Sequence, residues 1–314
     1  MSSITSIEAV ARRLDDARST RLTETQIDFD SYMKAREEDI GRIKSTTDFR
    51  EELIDEFFGD DTQHGCTFPW HKSHEHFRVR PGEVTVWTGY NGHMRSMVTG
   101  FVMLDLIRQG QKVCIASFEM KPRKTLRRMA SQGIGTRQPS QLYVNKFLDQ
   151  MAGNLFLYDQ QGETNPERIL GVIYYCAEQL GVTQFVIDSL MKVVANEDDY
   201  NGQKRFMGQL CAAAKDLNIH IHLVHHSRKR DDETKRPGKQ DAKGTGAIVD
   251  QTDNFIAVYK FPRKEGDDED KPTHGLYVDK QRHGEWEGLI ALWFDDYSLQ
   301  FLEGAKDRRH IYVE

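Results

Sequence analysis

The sequence predicts an α/β fold with a mainly parallel central sheet, and two observations support this prediction. From about residue 78, short β-branched runs alternate with longer amphipathic stretches, the pattern of βαβ units whose helices cover both faces of a sheet. After residue 250 only strand patterns continue, which indicates antiparallel hairpins at one edge of the sheet. A length of 314 residues, with 38% hydrophobic and 29% charged side chains, suits one large or two modest domains.

Residues 1–62 are predicted to form a helical arm, and residues 63–314 the domain that contains the sheet. The arm has charge-rich helical segments, such as Ile7–Arg18 and Asp48–Phe58, and no strand signal. Because its apolar runs are short, the arm cannot bury much surface alone. We therefore expect it to pack on the following domain or on a neighbouring copy of the chain.

Strands and helices alternate through the middle of the chain. The strands predicted there are Val84–Thr88, Lys112–Ser117, Leu155–Tyr158, Gln184–Ile187 and Ile219–Val224. The predicted helices are Ser96–Gln109, Pro122–Met129, Ser140–Met151, Pro166–Leu180 and Gly202–Leu217. The C-terminal strands are Asn254–Tyr259, Gly275–Lys280, Leu289–Phe294 and Leu299–Leu302. Two charge-dense segments, residues 228–243 and 263–271, are predicted to be exposed loops.

Composition argues against several classes of protein. The net charge of −6 does not suit a generally basic nucleic-acid binder, so such a contact would need a local basic patch. No run approaches the roughly 18 apolar residues of a membrane span, and the N-terminus lacks the layout of a signal peptide, so we expect a cytoplasmic protein with no membrane partner. The four cysteines lie far apart and are expected to be free thiols.

Residues 82–96 combine a strand, a glycine-bearing turn and a helix start, which is the frame of a phosphate-binding loop. Such a loop directs backbone N–H groups at a polyphosphate. Gly89 opens the frame G-x-x-x-x-G-K-[ST] and Ser96 closes it at the correct distance, so the Ser96 hydroxyl is a candidate Mg²⁺ ligand. The alternative is an ordinary strand-turn-helix in which the glycines serve geometry alone. The residues assigned to nucleotide binding are Gly89, Asn91, Gly92, His93, Met94, Arg95 and Ser96.

The two most demanding positions of this frame hold Met94 and Arg95 instead of glycine and lysine. A glycine leaves room beside the β-phosphate that a methionine side chain would occupy, so we expect a steric conflict or a shifted loop. Arg95 keeps the positive charge, but its planar fork is larger than an ammonium group and is not a conservative exchange.

Two carboxylates follow apolar strands at the edge where open α/β sheets bind ligands. Glu119 comes after the strand that ends at Ser117 and is a candidate for orienting the attacking water. Asp188 directly follows the predicted strand Gln184–Ile187 in a Walker-B arrangement, which holds the Mg²⁺ shell. Each carboxylate also has an ordinary explanation, since acidic residues are common where a strand passes into a turn.

His226 follows a further strand, so its imidazole is expected beside the same sheet edge, where it can hydrogen-bond a γ-phosphate. A loop with seven Lys or Arg against four Asp or Glu comes next, residues 228–243. A flexible basic loop can contact the phosphate backbone of a nucleic acid, although a merely solvated charged loop is the alternative. The residues assigned to DNA binding are Arg228, Lys229, Arg230, Lys235, Arg236, Lys239 and Lys243.

Lys280 and Arg282 occupy alternate positions at the end of a predicted strand, so their side chains point the same way. Cations at a subunit edge can stabilise charge on the phosphoryl group in a neighbour's site, as an arginine finger does. Ordinary hairpin charges are the alternative.

In order and spacing, these motifs resemble the RecA-type motor domain of hexameric replicative helicases, the DnaB and Twinkle group, particularly its phage members. The resemblance extends over roughly residues 65–305 and rests on the motifs Ser117–Met120 with Arg127 and Arg128, Ile187–Ser189, His226–Lys229, Gly244–Ile248 and Lys280–Gly284. It implies a RecA-like P-loop core that uses ATP or another NTP with Mg²⁺.

The resemblance also implies a role for each site residue. Glu119 would be the catalytic carboxylate, Asp188 the Walker-B acid and His226 the phosphate sensor, while Lys280 and Arg282 would reach into the neighbouring subunit's site. The loop after His226 would line a central channel and grip single-stranded DNA, and the arm would hook each subunit of a hexameric ring onto the next. Since no primase-type domain precedes residue 1, we expect primase chemistry to need a separate protein.

Three explanations for Met94-Arg95 remain open: a natural variant that still binds ATP, a naturally inactive ring subunit, or a deliberate alteration that stops hydrolysis. Three functions remain open with them. The first is a ring-forming replicative helicase, the second a nucleotide-gated DNA-binding or loader subunit with little hydrolysis, and the third a RecA-like recombination ATPase.

Overall fold

The computed structural model describes residues 44–59, 65–194, 199–227, 235–241, 246–263, 266, 268 and 270–313. The chain divides into two units, Met1–Asp60 and Asp61–Glu314. The predicted helix Ile7–Arg18 lies outside the described residues. None of the described helices is long and apolar enough to cross a membrane.

The described part of the N-terminal unit is a 3-10 turn, Thr46–Phe49, that runs into helix α1, Arg50–Phe58. Ser45 caps this segment in a capping box: its side-chain oxygen accepts the backbone N–H of Thr47, and its own backbone N–H donates to the Asp48 carboxylate over 2.7 Å. The predicted helix Asp48–Phe58 is therefore confirmed to within two residues. The large apolar side chains of α1 are exposed, and Phe58 reaches 84% exposure.

In the described part of the chain, nine strands form one sheet in the order β3-β2-β4-β5-β1-β6-β7-β8-β9. The strands are β1 Val84–Thr88, β2 Val113–Ser117, β3 Leu155–Leu157, β4 Gln184–Asp188, β5 His220–Val224, β6 Asn254–Lys260, β7 His274–Gln281, β8 Gly288–Asp295 and β9 Gln300–Leu302. Neighbours among β1–β6 pair in parallel, and β7, β8 and β9 extend the sheet by antiparallel pairing. The predicted parallel sheet with antiparallel hairpins at one edge is confirmed.

The register of the parallel strands aligns their carboxyl ends. Ser117 of β2 is level with Asp188 of β4, and Asp188 is level with Val224 of β5. Val224 is in turn level with Trp87, two residues before Gly89. Residues that follow these four strands therefore meet where the parallel strands have their carboxyl ends. We call this side of the sheet the loop edge.

Helices cover both faces of this sheet. They are α2 Arg95–Arg108, α3 Pro122–Ile134, α4 Gln141–Met151, α5 Pro166–Leu180, α6 Tyr200–Asp216 and α7 Ala247–Gln251. Strand alternation divides the core in two, because Val84 and Val86 of β1 pack in a cluster with α5 and α6, whereas Trp87 packs in a cluster with α2, α3 and α4. Burying a large apolar side chain contributes roughly 1.5–3 kcal/mol, so both clusters hold the sheet in place.

Two helix predictions need correction. The helix expected to end at Met129 continues to Ile134, because Gly133 lies in a close helix contact instead of a terminus. A Cβ at Gly133 would come within 3.1 Å of the Phe147 ring on α4. The helix ends only at Gly135, which takes the left-handed conformation with φ of 82°. The short helix α7 was missed, since its glycine-rich approach has the composition of a loop.

Candidate active site

The turn after β1 has the backbone of a phosphate-binding loop. Gly89 has φ of 155°, and a Cβ there would lie 2.5 Å from the carbonyl oxygen of Val258 on β6. Gly92 has φ of 83° and open space around it. Only glycine fits the first position, where β6 closes on the loop, while the second needs glycine for its dihedral angle alone.

Met94 occupies the left-handed region, with φ of 64° and ψ of 25°, at the N-cap of α2. An L-residue in this region costs roughly 1–2 kcal/mol relative to its right-handed form. The Met94 side chain is half-buried and packs against the core cluster beneath α2. The steric conflict expected at this position thus takes the form of a strained backbone with the side chain packed against the core.

The start of helix α2 has the features of an anion site. No side chain caps its N-terminus, so a ligand could take up the first backbone N–H groups. The positive end of the helix dipole lies at the same point. This arrangement fits the phosphates of a nucleotide, in agreement with the assignment of the loop residues to nucleotide binding.

Arg95 turns its guanidinium toward the loop and the next strands. One terminal nitrogen donates to the Gly89 carbonyl oxygen, and the other lies 2.8 Å from Nδ1 of His226. Burial lowers the pKa of Arg95, while Asp188 and Glu119 act to raise it, and the group remains a cation. A single side chain therefore bridges the beginning of the loop and the residue assigned as sensor.

Ser96 and Asp188 meet as the loop frame requires. The Ser96 hydroxyl donates to the Asp188 carboxylate over 2.7 Å. Burial raises the pKa of Asp188, whose side chain is almost fully enclosed. A hydroxyl and a carboxylate are hard oxygen ligands of the kind Mg²⁺ takes together with substrate phosphates, so these residues fit the assigned metal.

Glu119 accepts two hydrogen bonds at the loop edge. The Ser189 hydroxyl donates over 2.8 Å, and Nε2 of His226 lies 3.0 Å from the same carboxylate oxygen. The bond from His226 is the main cause that lowers the pKa of Glu119 to about 2. Glu119 is therefore an ionised acceptor throughout the neutral range.

The histidine between these groups has a defined tautomer if it is neutral. His226 donates through Nε2–H to Glu119, which leaves Nδ1 as the acceptor for Arg95. The side-chain oxygen of Asn91 lies 3.1 Å from the same Nδ1 atom, and in this tautomer two acceptors face each other there. The assigned residues Arg95, Glu119 and His226 thus form one hydrogen-bonded cluster, with Asn91 beside it.

His93 has a structural contact at the tip of the loop. Its Nδ1 accepts the backbone N–H of Lys260 over 3.2 Å, and its ring contacts the ring of Tyr259 edge-on. His93 therefore fastens the loop to the end of β6, in addition to its assignment among the nucleotide-binding residues.

Lys280 and Arg282 lie away from this cluster. The Lys280 ammonium donates to the carbonyls of Val249 and Asp250, and Arg282 contacts carbonyls of residues 250–252 near the end of α7. These carbonyls precede β6, so they lie where the parallel strands have their amino ends. We call this side of the sheet the opposite edge. Arg282 is level with Val84, five residues or roughly 16 Å before Gly89 at ~3.3 Å per residue. The two cations share a direction, as predicted, but they do not reach the loop of their own chain.

The described residues of the basic loop are partly neutralised by acidic partners. Nη1 of Arg236 lies 2.8 Å from both carboxylate oxygens of Asp279, and the guanidinium lies over the Tyr277 ring. Lys239 contacts Glu287 over 3.0 Å. Lys235 is exposed. The other residues assigned to DNA contact, Arg228, Lys229, Arg230 and Lys243, lie outside the described residues.

Two residues of these networks were missed by reasoning from the sequence. Ser189 donates to Glu119, and its position directly after the Walker-B acid could have identified it. Asp253 binds Arg282 over 3.1 Å and accepts the backbone N–H of Val84 over 2.9 Å. No sequence signal marks Asp253, because its partners are 29 and 169 positions away along the chain.

Comparisons with known proteins identify the family and the fold of this chain. A family model described as an AAA domain matches residues 76–232, half of the chain. A DNA helicase/primase of Enterobacteria phage T3 is 24% identical over 204 residues. That match covers 57% of this chain and 36% of the phage protein, so this chain corresponds to about a third of its relative's length.

Two solved structures have a similar fold. The first, an isolated ATPase domain, aligns with a TM-score of 0.71 and 15% identity, over 83% of this chain and 99% of that one. A DnaB-like replicative helicase, solved in a study of its interactions with primase, aligns with a TM-score of 0.69 and 15% identity, over 83% of this chain and 67% of that one. At this level of identity the two alignments describe the fold.

Proposed function

This chain belongs to the AAA domain family and has the RecA-type fold of DnaB-like helicase ATPase domains, and from this premise we propose that it is an ATP-driven replicative DNA helicase. The observation that carries the proposal is the cluster at the loop edge. Glu119, Asp188 and His226 follow three different strands, and they meet beside Ser96 at the start of α2. An ordinary strand-turn-helix, in which the glycines serve geometry alone, would not require these two carboxylates and the histidine beside it.

Each residue of the cluster has a role in this proposal. The loop N–H groups and Arg95 would bind the nucleotide phosphates, and Ser96 with Asp188 would hold Mg²⁺. Glu119, ionised at neutral pH, would orient the attacking water, while His226 would hydrogen-bond the γ-phosphate. Catalysis of phosphoryl transfer consists mainly of such positioning together with charge stabilisation.

The assembly and partners belong to the same proposal. The chain would form a homo-oligomeric ring, hexameric in the simplest case, through residues 1–62, with Lys280 and Arg282 completing the neighbour's site. Support comes from their place at the opposite edge, from which they cannot serve their own loop. Single-stranded DNA would pass along residues 228–243 in the centre of the ring, and a separate primase would be a partner, since a DnaB-like helicase of this fold was studied with primase.

A second candidate function has one observation in its favour. Met94 is strained, and Arg95 is engaged with Gly89 and His226. A chain in which these contacts compete with the phosphates would bind nucleotide and DNA but turn over slowly. It would then act as a nucleotide-gated DNA-binding or loader subunit.

One experiment tests the helicase proposal. ATP hydrolysis is measured with and without single-stranded DNA for the native chain and for the double substitution Met94→Gly with Arg95→Lys. We expect DNA to stimulate turnover of the double variant, because it restores the room and the compact cation of the loop frame. If this variant shows no DNA-stimulated turnover, the helicase proposal fails.

The control is Glu119→Gln in both backgrounds. It keeps the volume of the side chain but removes the charge, so turnover from this site should fall by about 10²–10⁴-fold. Turnover that survives this substitution would come from a contaminant.

Negative-stain images of the native chain complete the test, since a closed ring supports the proposed assembly and an open filament contradicts it.

A further inference from the structure

We infer that Arg95 is a positioning residue for His226, whose ring it holds so that Nε2–H faces Glu119. The inference rests on the proposed function, since it concerns the same nucleotide site. It gives a second role to the residue that departs most from the phosphate-loop frame.

The argument begins with the shape of the guanidinium. Its two terminal nitrogens are used on two different acceptors, the Gly89 carbonyl oxygen and Nδ1 of His226. A planar fork presents both N–H donors in a fixed geometry, so fixing one contact also sets the other. An ammonium group is a single point and lacks this fixed pair of donors. Arginine therefore suits the bridge better than the lysine of the loop frame.

The second step concerns the imidazole ring. A neutral histidine has one donor and one acceptor nitrogen, and the partner of one nitrogen determines the role of the other. Because Arg95 can only donate, it selects Nδ1 of His226 as the acceptor. The remaining Nε2–H is then directed at Glu119, 3.0 Å away. The position of the catalytic carboxylate thus depends on Arg95 through the histidine.

Other groups face His226 as well. The Asn91 side-chain oxygen lies 3.1 Å from Nδ1 and would favour a proton there, and Ser189 shares Glu119 with the imidazole. Asp188, whose pKa is raised mainly by burial, also interacts electrostatically with His226. Among these groups only Arg95 carries a positive charge, and charge-assisted hydrogen bonds are the stronger kind. Arg95 is therefore the dominant partner of Nδ1.

The first test measures how fast diethylpyrocarbonate modifies His226 in the full chain, with no nucleotide present, by mass spectrometry of the peptides. The reagent attacks an unprotonated imidazole nitrogen with a free lone pair. In the native protein Arg95 covers that lone pair. We expect modification of His226 to be roughly tenfold faster in Arg95→Met, the ratio expected for losing a charge-assisted hydrogen bond.

The exposed His71 serves as the internal reference for this rate, because its side chain is 81% exposed and lies far along the chain. Asn91→Ala is the matched variant, and with Arg95 present it should change the rate less than twofold. Arg95→Met combined with Asn91→Ala shows whether Nδ1 becomes protonated and donates to the Asn91 side-chain oxygen once the guanidinium is gone. An unchanged rate at His226 in that double variant overturns the inference.

The second test is a double-mutant cycle on thermal stability, with Arg95→Met and His226→Gln. If the two side chains act through one bond, the double variant should melt no lower than the less stable single variant. Arg95→Met combined with Arg309→Ala, which lies elsewhere, should instead show additive shifts. Additive shifts in the first pair would contradict the inference.

Neither measurement involves nucleotide or hydrolysis, so their outcome is separate from that of the proposed function. A chain that never hydrolyses ATP could still show Arg95 covering His226. An active helicase could equally show no coupling between them.

The last measurement uses Arg95→Lys, which keeps the positive charge without the planar fork. We expect this variant to leave His226 about as reactive toward diethylpyrocarbonate as Arg95→Met does.

Discussion

The two edges of the sheet use their charged side chains in different ways. At the loop edge, Arg95, His226 and Glu119 bond to one another's side chains, and Arg95 also donates to the Gly89 carbonyl oxygen. At the opposite edge, Lys280 and Arg282 bond mainly to backbone carbonyls, and Arg282 also to the buried carboxylate of Asp253. The first set can exchange partners when a ligand arrives, while the second is held by the main chain.

This difference determines how easily the charged side chains at each edge can change partners. Side-chain partners can reorient at little cost, whereas carbonyl partners before β6 cannot move without the strand. Asp253 strengthens this hold, because it binds Arg282 and the first residue of β1 together. The opposite edge is therefore suited to holding a cation at a fixed place, as the proposed ring would require, and the loop edge to responding to what is bound.

The largest effect is expected on ATP hydrolysis, when Arg282 at the opposite edge is replaced. Arg282→Ala should lower ATP hydrolysis by about 10³-fold or more, while the affinity for nucleotide stays nearly unchanged, because an arginine finger stabilises the transition state in the neighbour's site. Turnover and binding of a fluorescent nucleotide are measured on whichever form is active, the native chain or Met94→Gly with Arg95→Lys.

Arg309→Ala is the matched control for this substitution. Arg309 is also 42% exposed and also pairs with a carboxylate, that of Asp295. It should leave hydrolysis unchanged. Equal turnover in Arg282→Ala and Arg309→Ala would remove the proposed role of the opposite edge.

The next effect compares two glycines of the phosphate loop. Gly92→Ala should destabilise the domain by about 1–2 kcal/mol, the cost of a left-handed L-residue in open space. Gly89→Ala should cost clearly more, because its Cβ would also lie 2.5 Å from the Val258 carbonyl. Urea unfolding of both variants measures the difference. If the two variants are equally stable, β6 does not restrain the loop as described.

The last effect concerns pH and again separates the two edges. His220, at the start of β5 on the opposite edge, is fully buried, and burial lowers its pKa to about 4. As pH falls from 6.5 toward 4, the unfolded chain takes up a proton that the folded chain refuses, so stability falls. Glu119 behaves differently: its lowered pKa stabilises the fold above about pH 4.5, and this contribution is lost only as pH falls toward 2.

His220→Gln should therefore flatten the loss of stability between pH 6.5 and 4, by up to about 1.4 kcal/mol per pH unit. Urea unfolding of the native chain and the variant at pH 7.5, 6 and 5 measures the slopes. His274, whose pKa burial lowers to about 3, and His222 remain in both proteins and supply the residual slope. Parallel curves for the two proteins would contradict the assignment.

Much of the fold could be predicted because local patterns specify it. β-branched runs define β1, β2, β4 and β5, and amphipathic stretches define α5 and α6. The extension of α3 and the existence of α7 could not be predicted. Gly133 belongs to a helix because of the Phe147 ring beside it, which is a contact between distant positions.

The candidate site follows the same division. Gly89, Ser96, Glu119, Asp188 and His226 could be placed at one edge, because parallel strands bring their carboxyl ends together. Ser189 could have been added from its place after Asp188. The partners of Arg95 could not be predicted, since a long side chain in a loop frame has several acceptors within reach.

By itself, the sequence determined the class of fold, the order of its motifs and the unusual pair Met94-Arg95, since each depends on residue types at short spacing. The tertiary structure decided what that pair does: Met94 takes a strained turn with its side chain against the core, and Arg95 bridges Gly89 and His226. It also decided that Arg282 is held by Asp253 at the opposite edge. The contacts of Arg95 with His226 and of Arg282 with Asp253 join positions far apart along the chain, and only the packing of strands and helices brings them within hydrogen-bonding distance.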